Sequence, residues 1–353
     1  MSASSYRLPP YITRAALVGA LIVCSPLVIP LPTSADLVSE VDLKHARALD
    51  EATQRGLAWL AKAQLDDGSF QSTHKGTSAA LAVMAFMAKG HTAGLGPYGD
   101  VINRGIDHVL DSQTLSKDHR NGMIAPDGRM YGHNMATLML SQVSGMVDPE
   151  RQKRVDDVLS KALKLTLSAQ QMQKSAANQG GWHYEPNQTT SDMSHTGWAF
   201  MAIRSARNAG CAVPEEAIQA GVEYIRRCNS GGGFGYTPGA GPSLPLSGAG
   251  LLCLELTGHH RQEITIKAGD FILKQGANYG GHIYYALYYC SQGMFQLGGE
   301  HWEKYAPLLY DYTLKRQHPD GSFAPTGPGP AYSTAMAVLA LSPSYRQLPI
   351  YQR

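Results

Sequence analysis

Four tyrosines crowd into one short stretch, His282-Ile283-Tyr284-Tyr285-Ala286-Leu287-Tyr288-Tyr289-Cys290. An aromatic face is negative above its plane and attracts cations, so Tyr284, Tyr285, Tyr288 and Tyr289 are candidates for a wall that steadies positive charge. The plainer reading is a helix interface in which each hydroxyl finds a hydrogen bond. A second stretch, Ser191-Asp192-Met193-Ser194-His195-Thr196, puts a carboxylate and an imidazole at the start of a helix. Asp192 there reads as a cap that accepts amides at the helix N-terminus, with His195 hydrogen-bonded close by. The same two residues are candidates for acid–base work. Other chemistries lack their marks. Gly231 to Gly235 has no Lys-Ser/Thr ending and so is not a phosphate loop. No Gly-x-Ser-x-Gly nucleophile turn occurs, and Asp66-Asp67 beside Gly68 reads as a solvated turn pair.

The elements that must carry these residues are repeats. A unit beginning Arg55-Gly56 runs through Leu60 to Gln64 and then to Gly68-Ser69-Phe70. Further copies pass through Arg104-Gly105 to Gln113, through Lys161-Ala162 to Gln170 and Gly180-Gly181-Trp182, and through Gly221 to Cys228 and Gly232-Gly233-Phe234. Two more reach Gln275 with Gly280-Gly281-His282, and Gln317 with Asp320-Gly321-Ser322-Phe323. The first helix of each unit is amphipathic, the Gly-rich turn supplies backbone that only glycine adopts freely, and the aromatic folds back onto the helix end. Gln at that end is placed to hydrogen-bond the turn amides. Ser78, Thr196, Ser247 and Ser333 then read as N-caps of second helices that are apolar on nearly every face, and such helices belong inside. Six outer and six inner helices predict an all-α protein, an (α/α)6 toroid around a central cavity, with an open solenoid of helix pairs as the alternative.

Arg55, Gly56, Leu60, Gln64, Gly68 and Phe70 resemble the repeat of the prenyltransferase and squalene/oxidosqualene cyclase family, with Phe where that repeat has Trp. The resemblance spans residues 45 to 342. It implies a terpenoid cyclase-like toroid with a hydrophobic, isoprenoid ligand site. In such cyclases the tyrosine wall would face a carbocation, and an Asp-x-Asp-Asp acid would protonate the substrate; this chain has no such motif. The family's protein prenyltransferases imply a zinc site of Asp, Cys and His at the toroid mouth, for which Asp192, His195 and Cys290 are the candidates, with His133 and His282 at a similar level. The Asp-x-Cys pair of that site is absent, so the cofactor stays open, zinc being one reading.

The chain has 353 residues, 43% hydrophobic and 16% charged, which suits a large folded core. Residues 1–35 read as a secretory signal peptide: Arg7 and Arg14, an apolar run from Ala15 to Leu31, then Thr33-Ser34-Ala35. An uncleaved membrane anchor is the alternative. Residues 36–353 then form a single toroid domain, secreted or periplasmic. Without Arg7 and Arg14 the formal charge of +2 vanishes, and with no basic stripe nucleic acid is not an expected partner. Cys211, Cys228, Cys253 and Cys290 read as free thiols, with a Cys228–Cys253 bridge as the other option. Three functions fit: an exported toroid holding an apolar small molecule, an active terpenoid cyclase or prenyltransferase-type enzyme, and a non-catalytic interaction scaffold. A peripheral contact with a membrane is compatible with any of them.

Overall fold

The computed structural model describes residues 39–352; the expected signal segment 1–35 lies outside them. Among the described residues twelve α-helices alternate between an outer and an inner layer. The outer set is α1 (Glu40–Ala63), α3 (Gly99–Asp111), α5 (Pro149–Gln170), α7 (Glu215–Arg227), α9 (Glu263–Gln275) and α11 (Gly299–Leu314). The inner set is α2 (Lys75–Ala88), α4 (Arg129–Val143), α6 (Met193–Asn208), α8 (Leu244–Glu255), α10 (Ile283–Leu297) and α12 (Pro330–Ala340). Each inner helix packs on the next, and α12 packs on α2, so the ring is closed rather than open. The only sheet among the described residues is a pair of two-residue strands, β1 (Asn229–Ser230) and β2 (Gly233–Phe234). No described helix is long and apolar enough to cross a membrane.

The unit α5–α6 shows how the repeat works. Gln170, at the end of α5, donates from Nε2 to the turn carbonyl of Gly180 and to the carbonyl of Ala217 in α7, each at 2.9 Å. The glutamine therefore serves carbonyls rather than turn amides, and one of its two bonds reaches the neighbouring repeat. Gly180 has a φ of 83°, and a Cβ there would stand 2.0 Å from the Ala220 carbonyl oxygen, so the turn can lie against α7 only as glycine. Trp182 then drops into the core, its indole N–H donating to the Thr166 carbonyl at 2.8 Å and its backbone N–H to Thr196 Oγ1 at 3.1 Å.

That last bond corrects the N-cap expectation. Thr196, Ser247 and Ser333 lie inside the first turns of α6, α8 and α12, and their hydroxyls accept turn amides from Trp182, Phe234 and Thr326. Ser78 lies inside α2 and pairs with Ser72. The residue that can cap is the one just before the helix; for α6 that is Asp192. A hydroxyl one turn further in reaches back to the preceding loop instead, and in α6 and α8 to the folded aromatic itself.

The glutamine bond recurs around the ring. Gln64 donates to Val101 of α3, Gln113 to Val158 of α5, and Gln317 to Ala52 of α1, which closes the circle. Asp42 adds a second closure, accepting from Trp302 and Tyr310 of α11. Aromatic rings pack deep inside the ring. Trp198 of α6 stacks on Tyr288 of α10 at 5.0 Å, and Tyr289 packs beside them. At the C-terminal ends of the inner helices Leu348–Tyr351 fills the opening, held by Gln142 and Gln296. All four described cysteines are free thiols.

Leaving a buried carbonyl without its donor costs about 1–3 kcal/mol. Gln170→Leu removes two such bonds, so denaturant unfolding should show a loss of about 2 kcal/mol or more. Gln113→Leu, which gives up a single bond of 3.3 Å, should lose clearly less.

Candidate functional site

One cavity of about 630 Å³ opens at the end of the toroid where the inner helices begin. That volume is in the range of small-molecule sites. Its wall comes from the first turns of α2, α4, α10 and α12 and from the loops that precede α6 and α12. The third residue of each of those four helices reaches it: Thr77, Tyr131, Tyr285 and Tyr332. Tyr184, Tyr284 and Met135 complete the aromatic and apolar surface, while His74, Asp127, Arg129 and His282 bring polar groups. The segment just before α12 forms part of this rim through Thr326, Gly327 and Pro328.

The backbone at the wall is forced. Ala125 and Arg129 have φ values of 46° and 50°, a region that side-chain-bearing residues avoid, and they flank the turn Pro126–Gly128. The distortion is held by Asp127, which accepts the Gly76 amide at 3.2 Å, and by Met130, whose amide donates to the Tyr184 carbonyl at 3.1 Å. Glu185 accepts a two-pronged bond from Arg120 and lies 3.5 Å from Arg129.

Beside the cavity lies a buried polar network centred on Asp192. Its Oδ1 accepts from the His195 amide at 2.9 Å and from Ser194 Oγ at 2.6 Å, and its Oδ2 accepts from His195 Nδ1 at 2.7 Å. The carboxylate thus caps α6 and orients the imidazole at once. Tyr131 Oη donates to Ser194 Oγ at 2.5 Å and Tyr285 Oη to the Ser194 carbonyl at 3.2 Å, so two cavity phenols are tied to the same turn. Burial pushes the Asp192 carboxyl up, but its bonds from His195 and Ser194 outweigh that and hold it below the usual carboxylate value. Burial lowers the His195 pKa despite Asp192. The pair is therefore a carboxylate and a neutral imidazole. Burial raises the Tyr131 and Tyr285 phenols, and pushes Tyr284 up to about 12, so all three remain donors.

The structure divides the candidates from the sequence. Asp192 and His195 meet, and Tyr284, Tyr285 and His282 line the cavity. Tyr288 and Tyr289 lie deeper, buried against Trp198. Cys290 faces α8, its thiol toward the Leu244 carbonyl at 3.4 Å, and burial raises its pKa, so it does not join Asp192 and His195. Among the described residues no group of three or more His, Cys, Asp and Glu side chains converges as a metal site. His133 is structural: Nδ1 accepts the Ile124 amide and Nε2 bonds Thr166 and the Ala162 carbonyl. Tyr131, Tyr184, Tyr332, Asp127 and Arg129 escaped the sequence reading. Three positions, Tyr131, His195 and Tyr332, were marked by a shared register with Tyr285, the third residue of an inner helix.

No protein-family model and no curated protein sequence matches the chain. Solved structures do. A type II terpene cyclase, MstE from Scytonema, bound to geranylgeranyl dihydroxybenzoate, superposes with a TM-score of 0.59 at 12% identity over 87% of this chain and 100% of the other. Rex8A from Paenibacillus barcinonensis, complexed with an arabinofuranosyl-xylotetraose, gives 0.56 at 12% over 89% and 97%. A glycosidase variant gives 0.55 at 12% over 87% and 99%. The chain has the (α/α)6 toroid fold of these enzymes. The repeat resemblance to terpenoid cyclases thus holds at the level of architecture, and at 12% identity it is architecture that is shared.

Burial depresses His133 to about 4, against about 6.5 in an unfolded chain, and depresses His195 as well. A histidine that resists protonation in the folded state destabilises it as pH falls below the unfolded value. Stability should therefore drop between about pH 6.5 and 4, by roughly 3 kcal/mol from His133 alone. Asp192, whose folded value is depressed, adds a further loss below about pH 4. Urea unfolding at pH 7.5, 6 and 4.5 checks this, and His133→Asn should be less stable at pH 7.5 but flatter across the series.

Proposed function

We propose that this toroid binds an amphipathic small molecule of the isoprenoid class in its mouth cavity, after export, and does not start acid-driven cyclisation. The observation that carries the reading is the repeated use of one helix position, in which Tyr131, Tyr285 and Tyr332 turn three phenol rings onto one cavity of about 630 Å³. Tyrosine rings bury apolar area while the hydroxyls keep polar partners, which suits a ligand with an apolar body and a polar end. A cavity already open in the folded chain supports a ligand site over a purely structural scaffold. Alkene protonation needs a neutral carboxylic acid, and Asp192 is held ionised. The motif that supplies this acid in terpenoid cyclases is missing from the sequence as well.

A second reading has its own support. Asp127, Arg129, His74 and His282 give the cavity the hydrogen-bonding groups that a sugar requires, and aromatic walls also stack on sugar rings. Two of the similar toroids act on glycosides or hold one. Farnesol and geranylgeraniol on one side, and xylobiose on the other, separate the readings by titration followed with native mass spectrometry.

Tyr332→Ala should weaken the bound class at least tenfold, about 1.4 kcal/mol, with unfolding stability nearly unchanged. Tyr288→Ala, buried against Trp198, should instead cost stability by about 3 kcal/mol or more. Absence of binding by every probe would remove the ligand reading.

A further inference from the structure

His195 holds the third position of α6, the place that Thr77, Tyr131, Tyr285 and Tyr332 hold on the helices whose third residues line the cavity. Yet His195 is fully buried and does not line it. Three rings cover it: Tyr131 at 3.8 Å, Tyr184 at 4.0 Å and His183 at 5.6 Å between centroids. Tyr131 and Tyr184 are themselves cavity wall, so a single layer of aromatic rings separates the imidazole from the open space.

The imidazole is prepared for a partner that the chain does not provide. Its Nδ1–H is spent on Asp192, which leaves Nε2 as a lone pair, and Nε2 is buried with no hydrogen-bond partner. A buried acceptor left unpaired costs free energy. His133, on the neighbouring inner helix α4, by contrast has both ring nitrogens bonded within the protein.

The covering rings differ in how firmly they are held. Tyr131 is fixed on α4, with its hydroxyl bonded to Ser194. Tyr184 belongs to the irregular segment between α5 and α6 and is 38% exposed, and it packs edge-on against Tyr131 at 6.0 Å. His183 lies in the same segment but is held by Gln188 at 2.7 Å and stands 3.5 Å from Asp192, so Tyr184 is the ring that can leave without breaking a helix.

We infer that Tyr184 is a movable cover over a deeper subsite, in which His195 Nε2 accepts a hydrogen bond from a hydroxyl of the ligand while Asp192 holds the imidazole in place. The inference deepens the ligand reading and rests on it for the ligand's class: the bound end of the molecule is a hydroxyl donor, whether carried by an alcohol or by a sugar. An oxyanion or an ether would leave the lone pair unanswered.

The test reads His195 itself. In the intact chain, nitrogen-15 NMR of the imidazoles should show His195 protonated at Nδ1 and bare at Nε2. Site-resolved diethylpyrocarbonate labelling should be slow at His195 in the natural protein and in Tyr184→Phe. It should be at least tenfold faster in Tyr184→Ala, with His133 unchanged in all three. Addition of farnesol or of xylobiose should shift the Nε2 resonance, and the probe that does so names the source of the hydroxyl. A proton on Nε2, equal labelling in Tyr184→Ala, or a resonance that neither probe moves while one of them binds would overturn the inference. If neither probe binds at all, the ligand reading falls first and takes this subsite's occupant with it. The NMR and labelling results still decide whether Tyr184 covers a bare acceptor.

Discussion

The toroid depends on a side-chain amide that works for two repeats at once. Gln64, Gln170 and Gln317 each give one hydrogen to their own turn and another to the next outer helix. A helix pair of this kind has an apolar inner helix that it cannot cover alone, so stability has to come from neighbours. The glutamine makes the neighbour part of the same bonding unit as the turn. The turn glycine works alongside it: it lets the backbone sit directly on the adjacent helix, where a Cβ would collide with a carbonyl.

That arrangement frees the other end of the logic for function. With outer helices locked carbonyl to amide, and with the far opening filled by Leu348–Tyr351, the inner helices converge on one open end. In α2, α4, α10 and α12 the first turns put side chains against space rather than against a packed neighbour. The strained backbone at Ala125 and Arg129 and the Asp192 network occur at the same end. The core and the site therefore divide along the helix axis: aromatic stacking of Trp198 and Tyr288 below, tyrosine wall above.

Asp192 shows how one residue can satisfy a bland and a sharp reading together. As a cap it accepts the amide of His195, the one side-chain cap among the six inner helices. Its second oxygen is then already placed against the imidazole three residues on. Capping geometry thus sets the tautomer of His195 with no further device. It also explains why the carboxylate stays ionised in a buried position: amide, hydroxyl and imidazole all donate to it.

Much of this was legible in the chain itself. The recurring Gly-x-aromatic turns, the Gln at fixed offset and the all-apolar second helices establish six helix pairs, because each is a local signal with a local cause. Asp192 as a cap was legible for the same reason, and so was the presence of tyrosines on an inner segment. What the sequence could not decide is which members of a pattern share a space. Tyr284 and Tyr285 face a cavity while Tyr288 and Tyr289, one turn on along the same helix, are sealed in the centre, because depth along the toroid axis is set by six helices together. Cys290 turned to α8 and away from His195 for the same reason: side-chain direction around an inner helix depends on both neighbours. The cavity wall joins residues as far apart as His74 and Tyr332, and only closure of the ring through Gln317 and Ala52 brings them to one place.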